Sequence, residues 1–345
     1  MQFFEALGIF APFAALIFFL LASALMIWRL GVLENKGMEG TVLGTLVMPY
    51  CSGLSNIIFA VLLGMNLEDG RLVWENCIVN NATNLTLLIG IPAIISALVI
   101  IPRKAKPAES KGKKKAKKKE PKSSKEGKGG ELFRINRLSL ILTLIAVIFF
   151  TGALWALSLD HRLTKSDAWV LIGMFFFWQL FQVYDVMKYN ITKSHKLNMF
   201  IFVEILMILF AGYVMFESID WLLNYVIGMG SGFFGSGGVG WLSGWLMVVP
   251  NAMMSLYYTF KKRPEIAYSS QIGDGHICIP LCIGIYAIFN DIRVPKDFEY
   301  GLMLIGGAAV VHLVFLIVFG RLPRIIGGIL VASYIWFVYQ GIIPG

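Results

Sequence analysis

The sequence is short of charge. Asp, Glu, Lys and Arg make up 15% of its 345 residues, against roughly a quarter in an ordinary soluble domain. With 57% of residues hydrophobic, the two water-soluble domains that the length alone would suit are excluded. Cysteine is also scarce. Cys51, Cys77, Cys278 and Cys282 all fall inside apolar runs, so a disulfide framework is not indicated. No paired-Asp motif for prenyl or phosphatidyl transfer is present, and no His-Glu zinc pattern. The chain is therefore not read as an enzyme, and no cofactor is expected.

Long apolar runs are abundant. Mean hydropathy is +0.72, and runs of about 20 residues, each enough to cross about 30 Å of hydrocarbon, recur along almost the whole chain. Ten spans are expected near 7–28, 41–64, 72–101, 137–157, 168–188, 198–223, 238–260, 265–290, 299–320 and 323–342. The fold class is an all-α polytopic membrane protein. The first run has no cationic start and is too long for a cleaved signal, so it reads as a retained helix.

The charge that does occur is segregated. Half of the 30 Lys and Arg residues lie between Pro102 and Arg137. Further basic clusters follow the fifth span (Lys188, Lys193, Lys196), the seventh (Lys261, Lys262, Arg263) and the ninth (Arg321, Arg324). The alternate loops are nearly neutral or acidic. With ten spans and both termini outside, every basic loop falls on the cytoplasmic side, and the cell membrane is the expected location. The Lys-rich stretch 103–128 is of low complexity and expected to be disordered. It reads as a topology anchor and solvated linker, or as a patch attracting anionic lipid at about 1 kcal/mol per basic residue. Lacking interleaved aromatic residues and a surrounding fold, it is not read as binding nucleic acid. N-x-Thr sequons at Asn81, Asn84 and Asn190 fall in a span or on the inside and read as chance matches.

The chain repeats itself. "NCIVNNATNLTLLIGIPAI" lies over "SQIGDGHICIPLCIGIYAI" at an offset of 194 residues. Asn76 then meets Ser270, Asn80 meets Asp274, Asn81 meets Gly275 and Asn84 meets Cys278. Upstream, Asn56 pairs with Asn251 if one residue is inserted in the first copy. The copies fall on spans two and three, then seven and eight. A displacement of five spans inverts the second copy, an architecture common among transporters. The chain then divides into a first repeat over 1–101 and 137–188, a cytoplasmic loop over 102–136, and a second repeat over 198–345. Pro49 and Pro92 in one copy, and Pro250 and Pro280 in the other, are expected to interrupt these helices.

Asn76, Asn80 and Asn84 recur every fourth residue and share one helix face. Ser270, Asp274 and Cys278 repeat that spacing. With Asn56 and Asn251 near the middle of the partner helices, two stripes are expected to converge on one polar centre. Amide oxygens and a carboxylate are hard donors suited to Na⁺, Ca²⁺ or a proton. Asparagine also binds membrane helices together through hydrogen bonds worth about 0.6–2 kcal/mol each, so both roles stay open for any one residue. Asp274 stands out as an ionisable residue at mid-membrane. His276 and Glu204 are candidates for proton coupling, or for simple hydrogen bonding.

These features resemble the cation/Ca²⁺ exchanger superfamily, with the sodium/calcium exchanger membrane-region fold. The family repeat reads roughly G-T-S-x-P-E, then an apolar helix and G-N-x-x-G-S-N-x-x-N. "CSGLSN" holds the first place, with Ser55 and Asn56 where Pro-Glu stands in the family. "ENCIVNNATN" matches the second, carrying over Asn76, Asn80, Asn81 and Asn84. In the second copy "VVPN" has Asn251 in place of Glu, and "SSQIGDGHIC" has Asp274 for Ser and Cys278 for the last Asn. The resemblance implies a secondary antiporter with inorganic cations as cargo and Asp274 and Asn84 among the metal ligands. It also marks the departure: both family glutamates are asparagine here. One carboxylate fits Na⁺ or H⁺, or a weakly held Ca²⁺. Two further readings stay open. One is a degenerate exchanger kept as a scaffold or regulator. The other is a soft-metal transporter for Zn²⁺ or Cu⁺ using His276, Cys77, Cys278 and Cys282.

Overall fold

The computed structural model describes residues 2–35, 47–96, 98–100, 137–190, 199–229, 238–261, 263–295 and 298–342. Among them, ten helices are long and apolar enough to cross a membrane. In chain order these first to tenth spans are Gly8–Leu33, Met48–Met65, Gly70–Ile95, Arg137–Leu157, Lys165–Tyr184, Val203–Gly228, Val239–Phe260, Pro264–Phe289, Glu299–Val318 and Arg324–Ile342. The protein is an all-α polytopic membrane protein. The Lys-rich stretch 103–128, Lys193, Lys196 and Lys262 lie outside the described residues.

The ends of the first and third spans differ from the sequence expectation, each in a local setting of its own. The first span continues past Arg29 because that guanidinium finds a partner: its Nη1 lies 3.3 Å from Glu204 Oε2 on the sixth span. The third span ends near residue 95 rather than at 101. Beyond it Val99 leaves the helix to form a β-bridge with Arg321, and the Ile100 N–H bonds the Gly320 carbonyl at 3.1 Å.

Packing follows the internal repeat. The third span packs on the seventh, and its counterpart, the eighth, packs on the second. The second half of the third span packs on the tenth, and the second half of the eighth packs on the fifth. The first and sixth spans pair, as do the fourth and ninth. A two-residue strand β1 (Arg162–Leu163) pairs antiparallel with β2 (Ile292–Arg293). Its counterpart across the repeat is the Val99–Arg321 bridge, since Val99 and Arg293 are 194 residues apart.

Lipid gives apolar side chains no reason to leave it for one another, so close contact of membrane helices depends on small residues. Gly90 and Gly327 supply it between the third and tenth spans: a Cβ on Gly327 would stand 2.7 Å from the Gly90 carbonyl oxygen. Gly284, 194 residues after Gly90, lies against the fifth span in the same way, with Ile172 and Leu171 over it. The lipid-facing surface is apolar and aromatic, with Phe177, Leu180, Ile325 and Ile335 exposed.

Both copies break their central helix at one place by different chemistry. A π-helical turn covers Thr83–Leu87 in the third span, and another covers Ile277–Cys282 in the eighth, starting 194 residues later. In the second copy Pro280 cannot donate and pushes Ile279 out of helical geometry, to φ −119 and ψ 114. The first copy has no proline there. Thr83 Oγ1 bonds the Val79 carbonyl at 2.6 Å and Thr86 bonds that of Ala82, a pattern that bends helices. Pro92 lies further along, inside the continuing helix. It removes the N–H that would serve the Leu88 carbonyl, and Ser255 Oγ from the seventh span takes that carbonyl at 2.8 Å. Pro49 lies in the first turn of the helix Met48–Met65, where proline is tolerated, and residues 41–46 of the expected second span lie outside the described residues.

Candidate functional site

The two broken spans and their partners meet around Asp274, which is fully buried. The second span supplies Ser52, whose Oγ lies 2.9 Å from Asp274 Oδ1 and 2.9 Å from the Met48 carbonyl. The third span supplies Asn84, whose Nδ2 donates to Asp274 Oδ2 at 2.6 Å. The seventh supplies Asn251, whose Nδ2 donates to the same oxygen at 2.9 Å. One carboxylate is therefore held by side chains from both repeats.

The amides around it are linked to one another by hydrogen bonds. Asn84 Nδ2 also donates to Asn80 Oδ1 at 2.9 Å, and Asn84 Oδ1 accepts from Asn251 Nδ2 at 3.2 Å. The backbone carbonyl of Asn251 accepts from Gln271 Nε2 at 3.2 Å. Asn81 and Gly275, equivalent positions in the two copies, touch each other: Asn81 Nδ2 donates to the Gly275 carbonyl at 2.9 Å. All of these side chains are buried. A buried polar atom left without a partner costs about 1–3 kcal/mol, so the unpaired ones are informative. Among the described residues, both amide atoms of Asn56, Oδ1 of Asn81 and Asn251, and Oγ of Ser55 and Ser270 have no hydrogen-bond partner.

The other expected site residues stand apart. Asn76, on the same stripe, donates to Ser243 Oγ at 3.0 Å and lies 3.2 Å from Met247 Sδ. Cys278 lies beside Cys77 and Cys282. His276 is buried, both its ring nitrogens lack a partner among the described residues, and it faces the fifth span, 6.4 Å from the Phe175 ring and 6.5 Å from that of Trp178. Glu204 is paired with Arg29. Among the described residues no three His, Cys, Asp or Glu side chains are arranged to hold a metal ion, the cysteine group included. Ser52 and Gln271 were not among the expected residues. Ser52 sits one helical turn before Asn56, a spacing that marks it as a neighbour on the same face.

The centre is thus a single carboxylate in a shell of neutral amides and hydroxyls, at the crossing of four spans. Known structures share the fold of these spans. The sodium-calcium exchanger NCX_Mj soaked with 2.5 mM Na⁺ and 10 mM Sr²⁺ is similar over 94% of this chain and 96% of that one, with a TM-score of 0.67 and 14% identity. The same exchanger soaked with zero Na⁺ and Ca²⁺ is similar over 99% of both chains, with a TM-score of 0.64 and 16% identity. At that identity the likeness is one of fold. No curated protein matches the chain. The model of the sodium/calcium exchanger protein family matches residues 7–184, spans one to five and just over half of the sequence, and the chain belongs to that family.

Proposed function

We propose that this chain is a secondary cation antiporter working by alternating access, with Asp274 as its charged ligand. The observation that carries the reading is the burial of one carboxylate between the repeats, bonded by Ser52, Asn84 and Asn251. A charge at this depth is costly unless balanced, and one carboxylate is balanced by one monovalent cation. Na⁺ or H⁺ is the cargo this argument favours. Ca²⁺, which gathers several carboxylates in its usual sites, is expected to bind weakly.

Cation binding needs oxygen toward the ion. A half-turn of the Asn84 and Asn251 amides replaces nitrogen by oxygen beside Asp274 without moving a helix. The unpaired oxygens of Asn56, Asn81, Ser55 and Ser270 are further neutral donors on the second, third and eighth spans. Access alternates if the seventh and eighth spans rock against the second and third. The orientation that goes with this has both termini outside and the Lys-rich stretch 103–128 cytoplasmic, where it can meet anionic lipid.

The test is flux in proteoliposomes, following Na⁺, H⁺, Ca²⁺ and Zn²⁺ for the wild type and Asp274→Asn. The expected result is exchange of a monovalent cation at least tenfold faster than of Ca²⁺ or Zn²⁺, lost at least tenfold in the variant. Absence of any flux would overturn the transporter and leave a scaffold. Undiminished flux in the variant would remove Asp274 from the site.

A further inference from the structure

An exchanger is obligatory only if its empty form is barred from crossing. The usual bar is electrostatic: anionic ligands stripped of their cation are too costly to enclose in a dry, closed centre. Here the bar is weakened in three ways that the geometry shows together. The centre holds one carboxylate, because Asn56 and Asn251 bring no charge. Its oxygens already accept hydrogen bonds from Ser52, Asn84 and Asn251 at 2.6–2.9 Å. Those donors are themselves buried and held in place: Asn84 by Asn80 and Asn251, and Asn251 by the third span it meets. The closed arrangement therefore satisfies the carboxylate with neutral donors alone.

We propose, resting on the transport reading above, that this protein returns across the membrane without a cation, and so performs net, uncoupled cation transport as well as exchange. Asn84 and Asn251 act as stand-ins for the ion. Their N–H groups bond Asp274 when the centre closes empty, and their oxygens face the cation when it closes loaded. The same amide thus serves both closed forms. A glutamate at position 251 offers only acceptors once ionised, and cannot do this.

The experiment uses the full chain in liposomes loaded with the radiolabelled monovalent cation that exchanges in the assay above. The vesicles are diluted into choline medium, or into medium containing that cation, with thiocyanate as permeant anion to carry compensating charge. Interior pH is followed with a trapped dye. The expected result is efflux into choline within about fivefold of the exchange rate, with less than one proton entering for every ten cations that leave. Efflux accelerated twentyfold or more by external cation overturns the proposal while leaving the antiporter standing, as does one proton entering per cation released. Asn251→Asp replaces a donor by a second negative charge, and lowers the ratio of net efflux to exchange at least tenfold. An unchanged ratio in a variant that still exchanges counts against the proposal. No exchange of any cation removes the transport reading and this one together.

Discussion

At the scale of single residues, one hydroxyl and one carboxylate pull stability and activity in different directions. Ser52 bonds the oxygen of Asp274 that the two amides leave free, and a hydrogen bond to a charged group is worth about 1.5–3 kcal/mol. Ser52→Ala is expected to lower both the unfolding temperature in detergent and the transport rate, the latter by about tenfold if about 1.4 kcal/mol of that bond is lost in the loaded state. Asp274→Asn removes a buried charge while keeping the shape and one acceptor, a change that is often neutral or stabilising. It is expected to leave the unfolding temperature equal or higher while abolishing transport. Thermal unfolding and flux on the same two variants check both outcomes, and a joint loss in Asp274→Asn counts against a functional centre. The contrast also explains what the bare sequence discloses. Asn80, Asn84, Asn251 and Asp274 are conspicuous because amides and a carboxylate inside apolar runs need a partner, and because their positions recur at offsets of 194 or 195 residues. Ser52 is not conspicuous, since serine in a membrane helix is commonly satisfied by the carbonyl four residues earlier, and here the Met48 carbonyl competes with Asp274 for its single proton. His276 misleads by nearness. Two residues beyond Asp274 it is turned about 200° around the helix, toward Phe175 and Trp178.

At the scale of the element, the ten spans are legible because length and apolarity are what the bilayer demands. The places where they break are not. Proline marks the break in the eighth span, but in the third the π-turn at Thr83–Leu87 precedes Pro92 by five residues. It depends on partners brought by the fold: His312 Nε2 lies 2.7 Å from the Leu85 carbonyl, and Tyr334 Oη lies 2.8 Å from Thr83 Oγ1 and can donate to it. No window of sequence contains those contacts. Close helix approach is hidden in the same way, because neighbouring glycines read alike. Gly327 and Gly328 are adjacent, yet a Cβ on Gly327 meets the Gly90 oxygen at 2.7 Å and the Ile94 nitrogen at 3.0 Å, whereas one on Gly328 meets nothing within 4 Å. Backbone atoms on a packed helix cannot step aside, and overpacking of this kind costs about 1–3 kcal/mol or more. Gly327→Val is therefore expected to lower the unfolding temperature clearly, and Gly328→Val to leave it where it was. Equal behaviour of the two would mean that the third and tenth spans are not in contact at this point.

At the scale of the whole molecule, the pseudo-twofold arrangement makes a stronger demand than any single contact. Asn80 is the counterpart of Asp274 across the repeat, so the charge that one copy carries has a seat in the other. That seat is partly built. Asn80 Oδ1 accepts from Asn84, and Asn56, the counterpart of Asn251, is buried with its whole amide unpartnered among the described residues. It is also incomplete. The position matching Ser52 falls on Met247, which brings no hydroxyl, and the position matching Asn84 is Cys278, a much weaker donor than an amide. Moving the carboxylate, in the double variant Asn80→Asp with Asp274→Asn, keeps the count of charges and the volume of the centre nearly constant. Cation flux in liposomes is then expected to recover at least fivefold over Asp274→Asn alone, while staying about tenfold below the wild type, by the cost of one missing charge-assisted bond. Because the second copy is inverted, any difference in affinity between the two faces of the membrane is expected to reverse with the move, read as the ratio of half-saturating cation on the two sides. A double variant no better than Asp274→Asn would show that the two halves share a fold but not a function, and that the centre is built on the second repeat alone.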